Sequence, residues 1–139
     1  GEYGLQTIAM TPEELRKEAD IAFNKAEELF ANRDAAPDNL RKAIIRYQLT
    51  IDYLDQFAPK PEQWKLARDR IAEAKTISSK RMKDYVFDFN RLVKLKNKRE
   101  ALEVLDRIIP LLDPASPDIQ AFKNRRIKLE NEIRKDSKK

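Results

Sequence analysis

Residues 97–114 read NKREALEVLDRIIPLLDP, and a looser copy, NLRKAIIRYQLTIDYLD, occupies residues 39–55. Aligned without gaps from Asn39 and Asn97, the copies share Arg41/Arg99, Ala43/Ala101, Leu54/Leu112 and Asp55/Asp113. Apolar character matches at Ile44/Leu102, Tyr47/Leu105, Ile51/Ile109 and Tyr53/Leu111. In each copy a small alanine is followed four residues later by a large apolar side chain. Packed helices need that pairing: a small residue where two backbones come closest, and a large one to fill the neighbouring hole. The repeat therefore predicts paired helices.

Working outward, Thr11-Pro12-Glu13-Glu14 is a helix start, with Thr11 as cap, Pro12 at the first helical position and Glu14 as capping-box partner. A first helix is expected over 12–33, with Leu15, Ala19, Ala22, Ala26 and Leu29 inward, beside Phe23 and Phe30. The second carries Leu40, Ala43, Ile44, Tyr47, Ile51 and Leu54, and ends near Phe57. APKPE (58–62) is a connector, because its two prolines cannot continue a helix. From 62 to about 96 neither Pro nor Gly occurs, while Trp64, Ala67, Ile71, Ala74, Ser78, Met82, Tyr85, Phe89 and Leu92 step by three and four. One unbroken third helix is expected, the alternative being a break at Thr76-Ile77-Ser78-Ser79, where helix propensity is weakest. A fourth, over 99–112, turns Ala101, Leu102, Leu105, Ile108 and Ile109 inward, and Pro110 tightens or kinks its last turn. A fifth opens at Ser116-Pro117-Asp118 and carries Ile119, Phe122, Ile127 and Ile133, with Leu129 nearby.

Composition agrees with an all-α fold of five antiparallel helices. Of 139 residues only 2 are glycine, too few for the tight turns of a hairpin-rich β fold. The chain holds no Cys and no His, which excludes disulfides, thiolate nucleophiles, imidazole bases and the usual zinc sites. There is no glycine-rich phosphate loop and no acidic calcium loop. The adjacent pairs Glu13-Glu14 and Glu27-Glu28 point to different helix faces, and Asp84 with Asp88 lies among lysines that suit ion pairing. The reading is non-enzymatic, with no cofactor and no metal. No stretch reaches the ~18 apolar residues of a membrane span and no signal peptide is visible, so no membrane insertion is expected. The cytoplasm is favoured, although Gly1 in place of Met suggests a piece of a larger protein from which targeting signals have been cut. Within the chain the expected layout is a flexible lead-in over 1–11, a single helical domain over 12–135 and a basic tail over 136–139.

Formal net charge is +5, unevenly placed. Residues 80–99 hold eight basic side chains against Asp84 and Asp88, whereas 100–122 hold five carboxylates against Arg107 alone. From Lys123 onward the chain is basic again. Solvated helix faces account for such runs without any ligand.

The repeated pattern, Ala43 with Tyr47 and Ala101 with Leu105 followed by Pro114, resembles the tetratricopeptide repeat. The copies lie 58 residues apart rather than the ~34 of a regular array, because the third helix is overlong. The resemblance covers about 12–135 and implies two helix-turn-helix units with the fifth helix as a cap. In the first helix of the second unit, Tyr85, Asp88, Phe89 and Leu92 fall at the family's positions, where Asp88 and Phe89 depart from it. A shift by one residue places Val86, Phe89, Asn90 and Val93 there and fits better. Residues 36–57, APDNLRKAIIRYQLTIDYLDQF, also resemble helical segments of multidomain bacterial proteins that carry a forkhead-associated domain elsewhere.

The resemblance implies a groove lined by Lys83, Val86, Asn90, Val93 and Lys94, able to hold a partner protein or an acidic peptide. The alternative is that the valines pack against another helix while the lysines are ordinary surface. The expected function is a protein–protein interaction or scaffold module. A structural spacer, a self-association module (a weak homodimer) and weak nucleic-acid binding are the alternatives. The last is disfavoured, because two of Tyr85, Phe87 and Phe89 are expected in the core rather than stacked on bases.

Overall fold

The computed structural model describes residues 9–138. Residues 1–8 of the expected lead-in, and Lys139 of the tail, lie outside the described residues. The described chain is all-α: α1 (Pro12–Ala31), α2 (Asn39–Leu54), α3 (Glu62–Lys94), α4 (Lys98–Ile108), a short 3-10 turn (Ile109–Leu111) and α5 (Asp118–Ser137). Its contacts gather in two compact units that meet at Ile77 and Ser78, within α3.

The first unit begins with the capping box at Thr11. The Thr11 Oγ1 accepts from the Glu14 N–H at 3.1 Å, and Glu14 Oε1 accepts from the Thr11 N–H at 3.2 Å. Two of the orphan donors of the first turn are thereby satisfied. Four contacts set the direction of α2 relative to α1. Asn39 Nδ2 donates to the Asn32 carbonyl at 2.8 Å, Phe23 and Phe30 meet Tyr47 edge-on, and Arg16 lies 4.3 Å over the ring of Phe57. The two helices therefore run antiparallel. The first half of α3 runs parallel to α1, since Gln63 bonds Asp20 and Arg70 bonds Glu27. The core between them holds Ala26, Phe30, Leu40, Ala43, Tyr47, Ala67, Ile71 and Ala74. Alanines recur on all three helices, which lets the backbones approach while Phe30 and Tyr47 fill the space between them.

The second unit joins the remainder of α3 to α4 and α5. Lys96 stands at φ 59°, while the Asn97 N–H donates to the Leu92 carbonyl and the Lys96 N–H to that of Val93. This is a Schellman stop with lysine at the left-handed position where glycine is the usual choice. Asn97 then caps α4 by accepting from the Glu100 N–H. Pairing of Lys98 with Asp136 and of Arg126 with Asp106 makes α4 and α5 antiparallel. Phe89, Leu92, Ala101, Val104, Leu105, Ile108 and Leu129 form the core.

Element for element, the five helices match the sequence reading. α3 is continuous through Thr76–Ser79, and at 33 residues it extends for roughly 50 Å. Pro110 converts the end of α4 to 3-10 geometry. Two details differ. Ile127, expected inward, is 57% exposed. Phe122, Leu129 and Ile133 recur at steps of seven and four and hold the inner stripe of α5, and Ile127 falls about 140° away from it. Helix α5 also continues to Ser137, into the segment read as tail.

Candidate functional site

In the second unit, the last turns of α3 present an apolar surface to solvent. Phe87 is 69% exposed and Leu95 is 65% exposed, although Phe89 and Leu92 on the same helix are buried. At 100° per residue, Lys83, Phe87, Asn90 and Lys94 fall within about 60° of one another, on the side of the helix away from Phe89 and Leu92. Phe87, Asn90, Arg91, Lys94 and Leu95 line a shallow depression of about 450 Å³. Its floor is aromatic and aliphatic, and its rim carries two cations and an amide.

Local sequence explains the placement. The run Tyr85-Val86-Phe87-Asp88-Phe89 has three aromatic side chains in five residues, too many for one helix face. The packing of α4 and α5 takes Phe89 into the core and Tyr85 to its edge, which leaves Phe87 outside. Leu95 follows the last helical residue, and its backbone is fixed by the Schellman turn. Arg91 and Lys94 stand in the last turn of α3, where cations complement the negative end of the helix dipole.

The five residues expected to line a groove do not all share a surface. Lys83, Asn90 and Lys94 are exposed, with Asn90 and Lys94 on the rim of the depression. Val86 is half-buried and packs against the core of the second unit. Val93 is 38% exposed and falls outside the depression. Phe87, Arg91 and Leu95 complete the surface and are absent from the sequence-based set. An uncommitted aromatic beside a lysine-rich stretch was the signal available for Phe87.

The first unit holds a different polar arrangement. Tyr47, fully removed from solvent, donates its hydroxyl to Glu27 Oε1 at 2.5 Å. Arg70 Nε donates to the same oxygen at 3.1 Å while a terminal nitrogen of Arg70 bonds Glu73. Burial pushes the Glu27 carboxyl up, but the bonds from Tyr47 and Arg70 outweigh it and hold the group below its ordinary range. Burial and the neighbouring carboxylate raise the Tyr47 hydroxyl. Each member of this triad stabilises the charge state the others need. Its role is to tie α1, α2 and α3 together.

That linkage has a sign. A carboxyl whose folded pKa lies below its unfolded value stabilises the fold above the unfolded pKa, near 4.5, and the contribution is lost as pH falls through the folded value. Glu27→Gln is therefore expected to be less stable than the parent at pH 7, with a smaller gap at pH 3. The difference stays within about 1 kcal/mol, since Glu27 is a third exposed and screened. Urea unfolding of both chains at the two pH values checks this, and a gap independent of pH would remove the charge from the account.

Among the described residues no group of three or more acidic side chains is arranged to hold a metal ion. No helix of the described chain is long and apolar enough to cross a membrane. Set against known proteins, the chain matches no protein family, no curated protein and no solved structure.

Proposed function

We propose that this chain is a non-catalytic interaction or scaffold module, tetratricopeptide-like in organisation and serving a larger protein. Its second unit docks a partner protein or an acidic peptide on the outer face at the end of α3. The observation that carries this reading is the exposure of Phe87 and Leu95 side by side at the end of a helix that buries Phe89 and half-buries Tyr85. Exposed apolar side chains ringed by polar ones mark contact surfaces. Aromatic anchors with charged rims dominate the binding energy of such surfaces. Lys83, Arg91 and Lys94 favour carboxylates on the partner and speed its approach more than they tighten the complex. Lys80 is already engaged with Asp84 at 3.1 Å, so it adds less to the field.

A second reading uses the same patch: association of two copies through Phe87 and Leu95. Three exposed cations near the patch argue against it, because an isologous pair would bring like charges together.

The test couples capture from the source cell with point variants. Burial of a phenylalanine side chain is worth roughly 1.5–3 kcal/mol, so Phe87→Ala is expected to weaken capture of the identified partner at least about tenfold, with helicity unchanged. Lys83→Glu/Lys94→Glu is expected to slow association with a smaller effect on dissociation. Equal capture by Phe87→Ala would remove the assignment. Sedimentation separates the readings further, since a dimer that Phe87→Ala dissociates would establish self-association instead.

A further inference from the structure

The first unit carries a groove with a different character. Lys25 and Leu29 of α1 form one wall, and Arg41, Lys42, Ile45 and Arg46 of α2 form the other, around a space of about 480 Å³. The spacing follows from helix geometry: 25 and 29, 41 and 45, and 42 and 46 are each one turn apart, so Lys25 stands beside Leu29 and Arg41 beside Ile45, while Lys42 and Arg46 form a row of two cations. Four cations converge there. Among the described residues Lys25 pairs with Glu28 at 3.7 Å and Lys42 with Asp38 at 3.1 Å, both on the surface where such pairs exchange easily. Asp38 also feels the charge of Arg41, which with Lys42 holds its carboxyl below the ordinary range, but it makes its close contact with Lys42. Arg41 is half-buried, and its Nε is closed off from water with no protein acceptor. A buried N–H without a partner is costly, and the charge it belongs to is delocalised over the whole guanidinium. The held stem of Arg41 also leaves little rotamer freedom to lose on binding. Between the cations Ile45 is 46% exposed, an apolar surface with nothing over it.

We propose that the groove between α1 and α2 binds an acidic peptide segment that places one apolar side chain on Leu29 and Ile45 and its carboxylates on Arg41, Arg46, Lys25 and Lys42. The apolar strip is what selects a peptide over a bare polyanion, and the two arginines suit carboxylates through paired hydrogen bonds. This site is separate from the Phe87 face and stands or falls without it.

The probe is a fluorescein-labelled peptide of about 12 residues with Glu and Leu in helical spacing, titrated with the full chain and followed by anisotropy. Binding is expected at about 50 mM salt and is expected to weaken roughly tenfold or more by about 300 mM, as exposed charges are screened. Arg41→Gln/Arg46→Gln is expected to lose at least about tenfold in affinity, and the exposed single change Arg46→Glu several-fold without risk to the fold. Lys83→Glu/Lys94→Glu should bind this peptide as the parent does, which keeps the site distinct from the proposed partner face. The Gln-for-Glu peptide should not bind. Absence of binding at low salt overturns the proposal, as does equal affinity of the arginine variants. A Leu-to-Ser peptide that binds as tightly overturns the apolar contact and with it the peptide assignment. Preference for vesicles of anionic lipid or for single-stranded DNA over the peptide overturns it in favour of those surfaces.

Discussion

Tyr47→Ala is expected to destabilise the first unit by about 3–5 kcal/mol, the range for removing a buried aromatic side chain. Tyr47 has no exposed surface, meets Phe23 and Phe30 edge-on and donates to Glu27. Truncation thus opens a cavity among three helices and at the same time removes a bond from a charged acceptor. Tyr47→Phe separates these effects. It keeps the ring and loses only the hydroxyl, for an expected cost of about 1–2 kcal/mol, with Arg70 still holding Glu27. Urea unfolding of the two variants decides the matter. Equal losses would mean that the hydrogen bond dominates, and a loss below 1 kcal/mol for alanine would contradict the packing around Tyr47.

Leu105→Ala is expected to cost the second unit about 2–5 kcal/mol. Leu105 is fully buried and lies on α4, which has only 11 residues and turns Ala101, Val104, Leu105 and Ile108 inward. A helix of that length is marginal on its own, so its stability comes from the packed face. The core of this unit is also small, and the loss is a large share of the 5–15 kcal/mol typical of a domain. Hydrogen exchange should show protection falling about 30-fold or more across α4 and α5. Ile127→Ala is the matched control on the exposed side of α5 and should change stability by less than about 0.5 kcal/mol. Comparable losses at Leu105 and Ile127 would show that the inner stripe of this unit has been misassigned.

The repeat that opens the sequence reading has a counterpart in both cores. Ala43 and Ala101 are fully buried, and so are Tyr47 and Leu105 four residues later. These positions were legible because a small residue followed one turn later by a large one satisfies a local packing need whatever the wider topology. The capping box at Thr11 was legible for the same reason, since its bonds span three residues. The course of α3 through Thr76–Ser79 was legible from the absence of Pro and Gly and from an unbroken three-four stripe.

The surfaces were harder to read. Val86 and Val93 share a side of α3 with Met82 and Phe89, and how far that side meets solvent depends on how α4 and α5 pack against it. The groove between α1 and α2 joins residues from Lys25 to Arg46, and neither helix alone has a cation density that singles it out. Ile127 shows the same limit on α5, where two apolar stripes compete and Phe122 and Leu129 decide the outcome.

By itself, then, the sequence determined five helices, the cap at Thr11 and the small-large pairs of Ala43 with Tyr47 and Ala101 with Leu105 at the points of closest approach. These follow from contacts within one turn or one loop, whose energies are set by neighbours along the chain. Which apolar side chains remain outside was decided only in three dimensions. Phe87 and Phe89 stand about 200° apart on one helix, so both cannot enter the same core. The covering of Phe89 by α4 and α5 is what leaves Phe87 in water.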